Sequence, residues 1–216
     1  MTWIKICGIT NLEDARTAID AGADALGFVF HAASPRNVSV ATVKAITADL
    51  PMQIEKVGVF VDSSPNIEDT VASAGLTGIQ LHFTNPPAEP QNFSPSSHQK
   101  YLALIAGQTT AATNVASYLT GPIDALFLDS GTPDKPGGTG KIFNWKAASG
   151  VVSALSRKHK IVVAGGLTPE NVVEAVHTLK PWGVDVSSGV EARPGKKDPK
   201  TIRAFIQAVR LIEVSV

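Results

Sequence analysis

Cys7 closes a short apolar run, Trp3-Ile4-Lys5-Ile6-Cys7, and leads into Gly8-Ile9-Thr10. It is the chain's single cysteine. A thiol where a strand meets a glycine turn is placed to take a proton, provided that it ionises. Positive surroundings or helix N-termini lower a thiol pKa from about 8.5. A small thiol in a core is otherwise ordinary packing, and Cys7 alone does not decide between the two. Asp129 ends a second apolar run, Ile123 to Leu128, and is followed by Ser130. Alone it reads equally as a helix cap or half of a loop ion pair. Together they form a candidate pair for general acid–base catalysis, one proton acceptor and one proton donor.

Two glycine pairs supply a second chemistry. Gly165-Gly166 follows the run Ile161 to Ala164, and Ser188-Gly189 follows Val184 to Val186. Such turns let backbone N–H groups approach an anion closely, and a helix N-terminus beyond them adds favourable dipoles. Each pair alone could be a tight turn. Pro136-Gly137-Gly138-Thr139-Gly140 is a third glycine cluster, a cradle or a lid. It lacks the Lys-Ser/Thr ending of a P-loop, which argues against nucleotide hydrolysis. Arg36 follows Ser34-Pro35, and its planar guanidinium suits a carboxylate or phosphate. By position alone a solvated loop arginine is as good a reading.

Other chemistries find little support. The histidines, His31, His82, His98, His159 and His177, show no metal-ligand spacing, and Cys7 has no companion. No Ser-His-Asp set with a nucleophile elbow is present. A structural or catalytic zinc is therefore not expected.

Eight short runs, rich in Val, Ile, Ala and Leu, must position these groups. They are Trp3 to Ile6, Ala25 to Phe30, Lys56 to Val61, Gly78 to Leu81, Tyr101 to Ala106, Ile123 to Leu128, Ile161 to Ala164 and Val184 to Val186. They are apolar on both faces, as parallel strands buried on both sides are. Helical periodicity falls between most of them. Thr10 to Glu13 has capping-box form before Leu12, Ala15, Ala18 and Ile19. Thr168-Pro169-Glu170 reads as another helix start. Further helices are expected over Val40 to Leu50, Ile67 to Ala74, Ala111 to Leu119 and Trp145 to Leu155. A last helix should bury Ile202, Phe205, Ile206, Val209 and Ile212. Thr84 to His98 is proline-rich and breaks the rhythm, so an irregular or missing fourth helix is expected.

Eight alternations across residues 1–216 predict one (β/α)8 barrel (a TIM barrel) as a single domain. A doubly wound open sheet needs fewer strands. Barrel chemistry sits at the C-terminal strand ends, and phosphate often sits on the loops after strands seven and eight. Those strand ends carry Cys7, His31 and Arg36, His82, Asp129, Gly165-Gly166 and Asp185 to Glu191. Strands seven and eight lie between one and six around the ring. A phosphate held there would seat its substrate between Cys7 and Asp129.

The bulk numbers agree. Hydrophobic residues make up 44% and charged residues 18%, enough for a sizeable core. Lys plus Arg equals Asp plus Glu, 19 each, which gives no case for nucleic acid or an acidic membrane. No apolar stretch reaches the roughly 18 residues of a membrane span. The N-terminus has no signal-peptide pattern. One cysteine fits a reducing compartment, so a cytoplasmic protein is expected.

The motifs Lys5-Ile6-Cys7-Gly8-Ile9-Thr10, Ser34-Pro35-Arg36, Gln80-Leu81-His82, Leu128-Asp129-Ser130, Ala164-Gly165-Gly166-Leu167, Asp185-Val186-Ser187-Ser188-Gly189-Val190-Glu191 and Gly195-Lys196-Lys197-Asp198 resemble phosphoribosylanthranilate isomerases of tryptophan biosynthesis. They span nearly the whole chain in the family's order. The family usually has glycine where this chain has Phe83. The resemblance implies an Amadori rearrangement of N-(5′-phosphoribosyl)anthranilate, with Asp129 as general acid and Cys7 as general base. It implies that Arg36 holds the anthranilate carboxylate and that N–H groups near Gly165, Gly166, Ser188 and Gly189 hold the phosphate. Asp185 would bond the anthranilate amine. The chemistry it implies is proton transfer alone, needing neither metal nor organic cofactor, and the expected partner is a small phosphosugar–anthranilate bound by a monomer or a homodimer.

The alternatives are a histidine-pathway or dual-substrate aminoaldose isomerase and a non-catalytic phosphosugar-binding barrel. Isomerases of the first kind carry aspartate at the position of Cys7. A binding barrel has no reason to keep both Cys7 and Asp129. Indole-glycerol phosphate synthase, another barrel neighbour, needs a strand-end lysine pair that is not found here.

Overall fold

The computed structural model describes residues 1–61, 66–82, 91–92, 98–105, 119–120, 123–130 and 142–214. Eight parallel strands close into a barrel: β1 (Trp3–Cys7), β2 (Ala25–Phe30), β3 (Glu55–Val61), β4 (Gly78–His82), β5 (Gln99–Ile105), β6 (Ala125–Asp129), β7 (Lys160–Val163) and β8 (Gly183–Val186). The order around the ring is β1-β8-β7-β6-β5-β4-β3-β2. Strands seven and eight thus separate one from six, as the sequence predicts. Six α-helices are described: α1 (Leu12–Asp20), α2 (Val40–Thr47), α3 (Ile67–Ala74), α4 (Trp145–Leu155), α5 (Val172–Leu179) and α6 (Pro199–Val214). No helix among the described residues is long and apolar enough to cross a membrane.

Alternation along each strand builds two cores. Ile4, Ile6, Leu26, Phe28, Leu126 and Leu128 point outward and pack with the helix faces, including Ala15 and Ala18 of α1 and Phe205 and Val209 of α6. Trp3, Ala25, Val57, Tyr101, Phe127 and Val162 point inward. The inner core is aromatic toward the N-terminal end. Trp3 stacks on Trp182 at 5.2 Å and meets the Phe127 ring edge-on at 6.1 Å. That plug closes one end and leaves the chemistry at the other. Along β1 the inward side chains run Trp3, Lys5, Cys7 from plug to mouth.

Several boundaries differ from the sequence reading. The cap of α1 is Asn11, whose side chain accepts from the Asp14 N–H, while Thr10 donates its hydroxyl to the Gly195 carbonyl at 2.6 Å. The tertiary bond to residue 195 takes the threonine out of its expected capping role. α5 begins at Val172 rather than at Thr168. There Asn171 binds the Thr168 N–H and the Gly166 carbonyl, which shapes 168–171 as a turn. Leu119, expected to end a helix, lies with Thr120 in a short parallel ladder against Gln91–Asn92. The rest of the proline-rich stretch up to Ser97, the other residues of the expected helix at 111–119 and the glycine cluster at 136–140 lie outside the described residues.

Candidate active site

The C-terminal strand ends carry the predicted groups, and neighbouring elements fix where each one points. Cys7 ends β1 and is 8% exposed; Asp129 ends β6 and is also 8% exposed. Both are therefore held by the barrel rather than by mobile loops. Cys7 is the register partner of Gly27 on β2. A Cβ on Gly27 would stand 2.7 Å from Cys7 Sγ and 2.9 Å from Lys5 Cε. The missing side chain on β2 is what leaves room for the thiol and for the lysine stem beneath it.

Lys5 is fully buried and is a functional candidate that sequence reasoning missed. Its Nζ donates to Gln80 Oε1 at 2.8 Å and to Asp185 Oδ1 at 3.0 Å, and it lies 5.1 Å from the centre of the Phe127 ring. Lys5 and Asp185 are register partners on adjacent parallel strands, so their side chains meet on the inner face. Gln80 Nε2 continues the chain to His82 Nε2 at 3.0 Å. Since Lys5 can only donate, it fixes the Gln80 oxygen toward itself, and the Gln80 amide must donate to His82. His82 is thereby neutral, with its proton on Nδ1. Burial, helped by Lys5 and His31, lowers its pKa to about 4.

The electrostatics at Cys7 are a contest. Burial pushes the thiol pKa up and the Asp185 carboxylate adds to that; Lys5 and Lys197 pull it down, and the net shift is upward. Lys5 is held above its ordinary range: burial works against its charge, but Asp185 and Cys7 outweigh burial.

A second cluster forms the rim. Gly8 has φ +76°, and a Cβ there would stand 2.5 Å from Arg36 Cδ and 2.9 Å from Ser187 Oγ. A glycine at this left-handed position therefore lets Arg36 cross the end of β1. Arg36 forms a bidentate pair with Glu191, Nε to Oε1 at 2.8 Å and Nη2 to Oε2 at 2.7 Å. Glu191 Oε1 also accepts from Lys197 Nζ at 3.0 Å, and Lys197 Nζ reaches the Ser187 carbonyl. Burial alone would raise the Glu191 carboxyl, yet Arg36 and Lys197 hold it below its usual range. Glu191–Arg193 and Lys196–Lys197 pair as a small antiparallel ladder. Buried Asp14 of α1 anchors it, accepting from Lys196 Nζ at 2.7 Å and from the Lys197 N–H at 2.9 Å. Glu191, Lys197 and Asp14 were also missed as positioning groups.

The two glycine loops come together. Gly165 and Gly166 have φ +80° and +68°. A Cβ on Gly165 would stand 2.1 Å from Ser130 Oγ, so the loop after β7 lies against the residue following Asp129. A Cβ on Gly189 would stand 1.9 Å from the Leu167 carbonyl oxygen, so the loops after β7 and β8 touch backbone to backbone. Ser188–Val190 forms one 3₁₀ turn. The structure thus joins Gly165, Gly166, Ser188 and Gly189 in one rim segment. It places that segment between Cys7 and Asp129 in ring order.

This arrangement has counterparts among known proteins. Residues 4–208 match the family model for N-(5′-phosphoribosyl)anthranilate (PRA) isomerase. The chain is 44% identical to the N-(5′-phosphoribosyl)anthranilate isomerase of Pelobacter propionicus, over 97% of this chain and 96% of that one. The dimeric phosphoribosylanthranilate isomerase of Thermotoga maritima, crystallised as engineered monomers, superposes with a TM-score of 0.78 at 35% identity, covering 97% of this chain and 99% of the other. A phosphoribosylanthranilate isomerase in complex with reduced 1-(o-carboxyphenylamino)-1-deoxyribulose 5-phosphate superposes at 0.77 and 34% identity, with the same coverage.

Proposed function

The chain belongs to the N-(5′-phosphoribosyl)anthranilate isomerase family, and from that premise we propose how its residues divide the work. The protein is an isomerase of tryptophan biosynthesis, converting N-(5′-phosphoribosyl)anthranilate to 1-(2-carboxyphenylamino)-1-deoxyribulose 5-phosphate. Asp129 acts as general acid. It gives a proton to the furanose ring oxygen as the bond from that oxygen to C1′ breaks, leaving a protonated Schiff base between C1′ and the anthranilate nitrogen. Cys7, as thiolate, takes the proton from C2′. The C–H electron pair moves into a C1′–C2′ double bond, and the C=N pair returns to nitrogen. The resulting enolamine tautomerises to the aminoketone. Each positioned proton carrier typically contributes about 10²–10⁴-fold.

The observation that carries this reading is the placement of Cys7 and Asp129. Both are nine-tenths buried at the same end of the barrel, with the two glycine loops between them in ring order. Those loops offer backbone N–H groups around Gly165, Gly166, Ser188 and Gly189 to the phosphate. Glu191 engages Nε and Nη2 of Arg36, so Nη1 is the edge that would meet the anthranilate carboxylate. Asp185, held by Lys5, would face the anthranilate amine. The reading takes the chain as one catalytic domain in the cytoplasm, acting as a monomer or homodimer. A dimeric relative supports the second form.

The histidine-pathway alternative loses support from the thiol, since those isomerases carry aspartate there. Freshly made phosphoribosylanthranilate should lose its fluorescence rapidly with the protein and very slowly with Cys7→Ser. Equal rates would move the base elsewhere. Binding of a phosphosugar with turnover in neither protein would favour the non-catalytic barrel.

A further inference from the structure

Lys5 has no part in the proton transfers just described, yet it is fully buried and its ammonium is paired. A buried cation is costly unless paired and hydrogen-bonded. Here Asp185 supplies the counter-charge at 3.0 Å, Gln80 a carbonyl oxygen at 2.8 Å, and Phe127 a ring face. Lys5 and Cys7 occupy successive inward positions of β1. Cys7 Sγ and Lys5 Cε both lie within 3 Å of the point where a Gly27 Cβ would stand, so thiol and lysine stem are neighbours.

We propose that Lys5, braced by Asp185, is a positioning residue that sets how readily Cys7 ionises. This rests on Cys7 being the base. The ammonium lies toward the barrel interior from the thiol, in a water-poor site where a nearby charge is weakly screened. It stabilises the thiolate before proton abstraction and loses part of that partner once Cys7 is neutral. Asp185 has the opposite effect on the thiol: it holds the lysine in place and its own negative charge opposes a second anion. The pair keeps Cys7 basic enough to remove a carbon-bound proton, yet still able to ionise. The other charged groups facing Cys7 are Lys197, from the small ladder, and Arg36, on the loop after β2. Both are tied to Glu191, which they share, while Lys5 is tied to Asp185, so every one of these cations is paired with a carboxylate. From β4, His82 faces Lys5 as a neutral ring.

Because Cys7 is the only cysteine, thiolate ultraviolet absorbance against pH, with Cys7→Ser as blank, reads its ionisation directly. Lys5→Gln, which keeps a donor for Asp185 but removes the charge, should move the titration up by about one to three pH units. Asp185→Asn should move it down by about the same range. The limb on which kcat/KM rises with pH should follow each shift. Two unmoved titrations, or two shifts in the same direction, overturn the inference. Shifted titrations with an unmoved kcat/KM limb support the electrostatic role and overturn the assignment of Cys7 as base. Should Lys5→Gln fail to fold with Asp185 left unpaired, the double variant Lys5→Gln/Asp185→Asn replaces it. Its titration must lie above that of Asp185→Asn; coincidence of the two overturns the inference.

Discussion

Cys7 and Gly27 are register partners on adjacent strands, and the thiol occupies the space that a side chain on Gly27 would fill: a Cβ there would stand 2.7 Å from Cys7 Sγ. The same Cβ would meet Lys5 Cε at 2.9 Å. Both are inside the closest approach that real Cβ atoms tolerate, and the Cys7 Cα, at 3.1 Å, is backbone that cannot simply swing aside. Gly27→Ala should displace the thiol and the ammonium together. A stability loss of about 1–3 kcal/mol is expected, as for other overpacked cores. The activity loss should be much larger, on the order of 10²-fold in kcat/KM, because a misplacement near 1 Å can cost that much. Denaturant unfolding beside steady-state kinetics checks both, and near-normal turnover would show that the thiol does not need this position.

Asp129→Asn tests the acid. The amide keeps the shape of the carboxyl group but cannot give up a proton to a ring oxygen. Turnover should fall by about 10²–10⁴-fold, while affinity for a reduced product analogue stays close to that of the parent. A single-turnover fluorescence measurement with a parallel binding titration separates the two effects. Near-normal activity sinks the assignment.

The strands could be read from sequence because their apolar runs are short, bounded and eight in number. The ring order then follows from the barrel alone. Cys7, Asp129, Gly165 and Gly189 were legible as candidates because strand ends and glycine turns leave local signals. Lys5 left no such signal. It sits between two isoleucines in an apolar run, and its partners Asp185 and Gln80 are 180 and 75 residues away. The usable clue was its period-two spacing from Cys7, which puts both on one face. Glu191 and Lys197 were quoted only as parts of motifs, because their roles depend on Arg36 and Asp14, brought close by ring closure. Thr10 misled as a cap for the same reason: its hydroxyl is taken by a carbonyl 185 residues on.

Glu191 holds Arg36 by two hydrogen bonds, so its removal should act through the arginine. Glu191→Gln keeps one acceptor and loses the charge. The guanidinium then gains rotational freedom, and Lys197 loses its carboxylate. If Arg36 binds the anthranilate carboxylate, KM should rise about tenfold or more while kcat changes little, since uniform binding is lost. A fall confined to kcat would instead tie Glu191 to the chemical step.

Gly189 lies where the loops after β7 and β8 touch, and a Cβ there would fall 1.9 Å from the Leu167 carbonyl oxygen. Gly189→Ala must push the loops apart. Inorganic phosphate, used as a competitive inhibitor, should bind at least several-fold more weakly to the variant. Unchanged inhibition would remove this segment from the phosphate site.

His82 couples the inner network to acid stability. Its Nε2 accepts from Gln80, whose oxygen is already taken by Lys5, so a protonated ring would set two donors against each other. The folded pKa is lowered to about 4 from the ordinary 6.5, by burial first and then by Lys5 and His31. Above pH 6.5 the ring is neutral in both states and the stability is complete. Between 6.5 and about 4 the unfolded chain binds a proton that the folded chain refuses, so stability falls as the pH falls. Below that window both states are protonated and this group adds no further slope. Urea midpoints across the window should drop for the parent protein. They should drop less for His82→Gln, which cannot take the proton but can still accept from Gln80 through its amide oxygen. Equal slopes would mean that other groups, carboxylates among them, account for the acid sensitivity and that His82 titrates without cost.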